Sequence, residues 1–272
     1  MVSHQGVSVV GRGAFMTTTE ERARRIFGQR AAAYTTSRTH ADPHVLAEVV
    51  RLSAPQPEWN ALDIATGTGH TALALAPHVT SVVGIDLTPE MLAEAEQLRR
   101  AQSITNVVFA LGDVHHLPFD DQVFDLVTCR RAAHHFSAIG RALEEMHRVL
   151  CVGGRLVIDD RSVPEDDFVD ACMNELDRYH DESHVRQYRP SEWRQMLETR
   201  GFVLEAVEPY TRHRPLASLT NGVSTENVGN IYSVLERLTD AQRAALNVVE
   251  VNGQLFLNHW FVMLAARKEA WV

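Results

Sequence analysis

The chain has 272 residues, which suits one large domain or one domain with a small cap. With 45% hydrophobic and 22% charged residues and a formal net charge of −9, it is an acidic globular chain, disfavouring non-specific binding to nucleic acid or anionic membrane. No run of about 18 apolar residues is present to span a membrane, and three cysteines with no CxxC spacing read as reduced thiols of a cytoplasmic protein.

Residues 1–16 lack the basic start and apolar core of a signal peptide and read as a disordered or start-site extension. Thr17, Thr18 and Thr19 offer hydroxyl caps to a helix running to about Ala33, closed by Tyr34. Asp42-Pro43 starts a second helix, and Ser53 to Pro57 forms a linker. From Ala61 strands and helices alternate. Strands are predicted at Ala61–Ile64, Ser81–Asp86, Val107–Ala110, Gln122–Cys129 and Arg155–Asp159, with helices at Thr71–Ala76, Pro89–Ala101 and Ile139–Leu150 between them. Such alternation predicts a parallel sheet in an α/β fold. A polar helical stretch over 164–184 follows, then a helix from Pro190 to Gly201, a sixth strand at Phe202–Val207, a helical insertion over 211–254 and an apolar last strand, Gln254–Ala266. Residues 17–52, 164–190 and 211–254 are the candidates for a lid and cap.

The pivotal stretch is Leu62-Asp63-Ile64-Ala65-Thr66-Gly67-Thr68-Gly69-His70, read as strand, tight turn and helix start. Gly67 and Gly69 can take φ > 0 and carry no Cβ, so a ligand can lie almost on the backbone. Asp63, at the strand end, can hold an amine, which argues for a ligand with an amino-acid moiety over a dinucleotide. Asp86, 17 residues beyond Gly69, ends strand two, where an acid can accept both hydroxyls of a ribose. Asp113, following Gly112 after strand three, is placed to accept from an adenine amino group, with Leu87 and Val114 packing on the ring faces. Three acids on three successive strand ends beside a two-glycine loop form a nucleoside pocket.

The segments 62–70, 82–92, 110–136 and 142–160 together resemble the class I S-adenosylmethionine-dependent methyltransferases, in particular the ubiquinone/menaquinone C-methyltransferase-like branch. The resemblance implies a Rossmann-like, doubly wound, seven-stranded sheet with its last strand antiparallel, spanning residues 17–272 as a single domain. It implies S-adenosylmethionine as cofactor, held by the loop Ala65, Thr66, Gly67 and Gly69, by Asp86 and by Asp113. Tyr34, Asp63, Leu87, Met91, Gly112, Val114 and Arg130 complete the expected cofactor set. The family's Gly-Cys-Gly or Gly-Ser-Gly is Gly-Thr-Gly here, and its Lys-Pro-Gly-Gly before strand five is Cys151-Val152-Gly153-Gly154; both departures touch turns only.

Methyl transfer from a sulfonium needs mainly alignment, plus a base if the nucleophile must lose a proton. His134 and His135, after strand four, are the candidate bases. Arg131, Glu175, Arg178, His184 and Arg186 are candidate acceptor contacts; a solvated helix with ion pairs is the bland reading of 174–186. The 14 histidines show no HExxH, and no metal site is expected. The acceptor expected is a small metabolite methylated at carbon or oxygen, and the N-terminal helices could pack on a second subunit as a homodimer. Two rival readings are a non-catalytic cofactor-binding sensor and an NAD(P)-dependent oxidoreductase, which would want a third glycine where Ala72 stands.

Overall fold

The structure is a computed structural model, which describes residues 18–35, 37 and 40–269. The extension expected at 1–16 lies outside the described residues. Helix α1 (Thr19–Thr35) opens on a reciprocal cap, the Thr18 amide donating to Glu21 Oε2 and the Glu21 amide to Thr18 Oγ1. Helix α2 (Pro43–Ser53) starts where Asp42 accepts from the His44 amide.

The alternating core follows: β1 (Asn60–Ile64), α3 (His70–Leu75), β2 (Ser81–Asp86), α4 (Pro89–Ala101), β3 (Val107–Leu111), β4 (Phe124–Arg130), α5 (Ile139–Val149) and β5 (Leu150–Ser162). Then come α6 (Asp167–His180), α7 (Pro190–Glu198), β6 (Phe202–Pro215), α8 (Ala217–Thr220), α9 (Thr225–Glu236), α10 (Asp240–Ala245), β7 (Val249–Val251) and β8 (Gln254–Lys268). Seven strands lie in the order β3-β2-β1-β4-β5-β8-β6, and the short β7 pairs onto β8. Strands β1 to β5 run parallel, and β8 runs antiparallel to both its neighbours. The expected doubly wound sheet with an antiparallel last strand is therefore the observed one.

Alternation along the buried strands feeds two cores. Leu62, Ile64, Val127 and Ile158 face α5 and α7, meeting Leu143, Met146, Trp193 and Leu197. Ala61, Leu126, Val157 and Ala265 face α2 and α3, meeting Val45, Val49 and Leu75. A third cluster, around Met173, Leu176, Leu219, Ile231 and Leu257, holds the cap together.

Several boundaries differ from the sequence reading. Strand six does not stop at Val207: it stays paired with β8 to Pro215↔Phe256, so the insertion begins after residue 215 instead of at 211 and ends in a hairpin. The polar run Glu208 to Arg214 hid that continuation. Strand five starts at Leu150, directly after α5, and Gly153 (φ +80°) lies within it. Strand four starts at Phe124, because Gln122 adopts φ +57° in the preceding turn. Of the described residues in 17–52, only those of α1 and His40 border the functional cleft. Helix α2, expected in the lid, buries Val45, Val49 and Leu52 in the central core.

Candidate active site

A cleft of about 1030 Å³, partly open to solvent, runs across the carboxyl ends of β1, β2 and β4 beneath α1. This is where ligands bind in open α/β sheets. Its floor is the loop after β1. Gly67 and Gly69 have φ +55° and +84°, and Ala65 joins them at +51°. A Cβ on Gly69 would stand 2.7 Å from Phe109 Cζ, whereas nothing lies within 4 Å of where a Gly67 Cβ would be. Gly69 is needed for packing, while Gly67 leaves bare backbone against the cleft.

Asp63 lies under this loop, 1% exposed, accepting from Thr66 Oγ1 at 2.6 Å and from Thr128 Oγ1 at 2.7 Å. Burial raises its pKa to about 6, against the pull of the two hydroxyls and Arg130. Asp86 accepts from the Gly67 and Thr88 amides, both at 2.9 Å. Burial raises its pKa, opposed by those amides. Each Asp86 oxygen keeps a further lone pair for a ligand hydroxyl.

Arg130, ending β4, donates through Nε to Thr71 Oγ1 at 2.9 Å and through Nη2 to the His40 carbonyl at 2.6 Å. Its Nη1 is buried with no hydrogen-bond partner. An unmatched buried donor on a guanidinium bordering the cleft suits an oxygen acceptor. Burial and Arg131 depress the Arg130 pKa, and burial beside Arg130 and Arg131 lowers that of His40 to about 3. His40 therefore lines the cleft as a neutral ring.

Arg131 sits at φ +56° with its amide on the Asp159 carbonyl at 2.7 Å. Its Nε donates to Asp159 Oδ2 at 2.9 Å, its Nη2 to Tyr210 Oη at 2.7 Å, and Tyr210 donates to Asp159 Oδ1 at 2.8 Å. The guanidinium also lies 3.9 Å from the Phe261 ring centroid.

Of the two histidines, His135 lines the cleft and His134 does not. His134 is turned into the protein, Nδ1 2.6 Å from Asp160 Oδ1, with its amide on Asp160 Oδ2 at 2.8 Å. The His135 Nδ1 lies 3.2 Å from the Ser183 carbonyl and 3.0 Å from Ser183 Oγ. Burial lowers the His135 pKa, with Asp181 opposing.

The structure brings Tyr34, Asp63, Ala65, Thr66, Gly67, Asp86, Leu87, Met91, Gly112, Val114, Arg130, Arg131 and His135 to one cleft. Gly69 lies behind it. Asp113 stands outside the lining, its Oδ1 occupied by the His115 amide at 2.9 Å and His115 Nδ1 at 2.8 Å. Four sequence-selected acceptor residues also fall outside. Glu175 pairs with Arg237 at 3.6 Å and Arg178 is exposed. His184 is buried against Asn174, and Arg186 bridges Asp170 and Glu192. Phe27, His40, Thr71, His115 and Phe136 line the cleft without having been singled out. Among the described residues no group of three or more His, Cys, Asp or Glu is arranged to hold a metal ion, and no helix is long and apolar enough to cross a membrane.

Residues 55–201 match the family described as methyltransferase domain. The uncharacterized methyltransferase YcgJ of Bacillus subtilis is 36% identical over 184 residues, which are 68% of this chain and 73% of YcgJ. The crystal structure of YcgJ superposes with TM-score 0.79 at 31% identity, covering 84% of this chain and 99% of that one. A demethylmenaquinone methyltransferase of Porphyromonas gingivalis is 38% identical over 121 residues, 43% of this chain and 49% of that relative. The geranyl diphosphate C-methyltransferase of Streptomyces coelicolor shares the fold alone, with TM-score 0.58 at 15% identity. The chain belongs to the methyltransferase domain family and is a class I S-adenosylmethionine-dependent methyltransferase. Neither the oxidoreductase nor the non-catalytic sensor is favoured by these relatives.

Proposed function

We propose that this cleft holds S-adenosylmethionine and that the protein transfers its methyl group to a small-molecule acceptor at oxygen or carbon. The observation that carries the reading is the pairing of Asp86, at one end of the bare glycine loop, with the orphaned Arg130 Nη1 at the other. In this reading Asp86 takes the ribose hydroxyls, and Arg130 takes the methionyl carboxylate. Asp63 and the loop carbonyls face the ammonium, while Leu87, Met91, Gly112 and Val114 border the adenine. Tyr34 and Phe27, from α1, close the methionyl side. The bound cofactor supplies an electrophilic methyl carbon. The chain itself binds, aligns and excludes water, and positioning alone can lower such a barrier by several kcal/mol. The acceptor is assigned to the space between Phe27, Arg131, His135 and Phe136. The three free thiols fit a reducing, cytoplasmic setting.

Titration with S-adenosylhomocysteine tests the assignment. Asp86→Ala is expected to weaken binding by about 1–3 kcal/mol, roughly 5- to 150-fold, because two hydroxyls lose a charged acceptor. Unchanged affinity would remove Asp86 from the ribose site.

Binding is also expected to depend on pH. Asp63 is charged above its pKa of about 6 and neutral below it. Only the charged form attracts an ammonium, so calorimetry should show affinity for S-adenosylhomocysteine falling as pH drops from 7.5 to 5. Asp63→Asn should flatten that dependence.

A further inference from the structure

The side of the cleft opposite the glycine loop carries a hydrogen-bonded chain that none of the related proteins' names explains. Ser183 Oγ lies 2.6 Å from Asp181 Oδ1, and the Ser183 amide donates to the same oxygen at 2.9 Å. Asp181 Oδ2 lies 3.5 Å from Arg30 Nη1 on α1. His135 Nδ1 meets both the Ser183 hydroxyl oxygen and the Ser183 carbonyl.

Counting protons settles the direction of every link. A carboxylate and a carbonyl can only accept. The single Ser183 hydroxyl proton therefore goes to Asp181, and His135 Nδ1 must carry hydrogen to bond to the carbonyl and the hydroxyl oxygen. The neutral ring then has its lone pair on Nε2, which makes no hydrogen bond among the described residues. His135 is held from the side by Phe27, edge to face at 5.0 Å, and its ring centroid is 4.0 Å from that of His134.

Resting on the cofactor assignment above, we infer that His135 is the general base of the transfer, with Ser183 and Asp181 as positioning residues, and that the acceptor is a hydroxyl or acidic carbon that must lose a proton. The acceptor's nucleophilic atom forms a bond to the methyl carbon as the methyl–sulfur bond breaks, its electron pair remaining on sulfur. The acceptor's proton passes to His135 Nε2 and leaves later to solvent. The imidazolium so formed is compensated through Ser183 by Asp181. Burial alone would raise the Asp181 pKa, but His135, Ser183 and Arg30 hold it at about 2, so its charge is present throughout the working range.

The charged and titratable groups around His135 are few. His134 comes from its own turn, Asp160 and Arg161 from β5, Asp181 and His184 from the loop after α6, and Arg30 from α1. His134 cannot share the role, because it lies outside the cleft, turned toward Asp160. Arg30 ties α1 to the end of this chain.

Nitrogen-15 NMR of the histidine-labelled, ligand-free enzyme at pH 7.5 tests this, with His135→Gln assigning the signal. The expected result is a neutral ring protonated on Nδ1 with Nε2 bare. Asp181→Asn should lower the pH at which His135 titrates, and Ser183→Ala should do so by a smaller shift. With S-adenosylhomocysteine bound, phenol as a probe should move the Nε2 resonance, whereas toluene should not. An Nε2-protonated ring, or equal effects of the two probes, would overturn the inference. Calorimetry on His135→Gln separates the two readings. S-adenosylhomocysteine affinity within about twofold of the parent is expected, and a large loss would make His135 a cofactor contact instead of a base. Failure of the parent enzyme to bind would sink the cofactor assignment and leave the ring's tautomer untouched.

Discussion

Asp159→Ala is expected to lower folding stability by about 3–5 kcal/mol, the cost of leaving a buried guanidinium without its carboxylate. Asp159 is 1% exposed and binds both Arg131 Nε and Tyr210 Oη. The Arg131 side chain, pressed on Phe261, has little water to turn to. Urea unfolding with near-constant m would measure the loss. Tyr210→Phe should lose only about 1 kcal/mol, since the ion pair survives and one hydroxyl link goes. Replacing Arg131 with Met in the Asp159→Ala background should recover much of the deficit, because the stranded charge is then gone. A loss below about 1 kcal/mol in the single variant would mean that water reaches this pair. Its role as a rigid wall of the acceptor space would then fall.

Arg130→Met is expected to give the largest loss in cofactor affinity, about 10- to 150-fold, from a charged hydrogen bond worth about 1.5–3 kcal/mol. The control is methylthioadenosine, which has the nucleoside and the sulfur but no amino acid. Parent and variant should bind it alike. If the variant loses both ligands equally, Arg130 acts by bracing the loop through Thr71 and His40, and the carboxylate must be held elsewhere.

Much of the cleft was readable before any coordinates. Asp63, Gly67 and Asp86 announce themselves because short apolar runs end in an acid, and such ends gather on one edge of a parallel sheet. Asp113 obeys the same pattern yet bonds back to His115 two residues on, a local choice that strand-end position does not encode. The partners Arg131–Asp159 and His134–Asp160 were unreadable because the two acids lie on β5 and their partners in the turn after β4, brought together only by the pairing of those two strands. Helix α6 misled for a different reason. Its apolar stripe, Val169, Cys172, Met173 and Leu176, is flanked by polar residues that are buried as well. Asp170, Asn174 and Asp177 turn inward, while Glu175 and Arg178 take the outer side. Strand six was cut short because its polar Tyr210, Arg212 and Arg214 fall on one face, where Tyr210 meets Arg131 and Arg212 meets Asp42.

The place of β8 between β5 and β6 bears on how the molecule is made. Its residues Phe261 to Ala266 are almost wholly buried, yet they come after every other strand among the described residues. While the polypeptide emerges from the ribosome, β5 must wait with a bare apolar margin until about residue 268 has cleared the exit tunnel. A nascent chain stalled short of that point would present an open template to its neighbours. Biosynthesis is thus exposed to misassembly late, when nearly all of the catalytic cleft already exists.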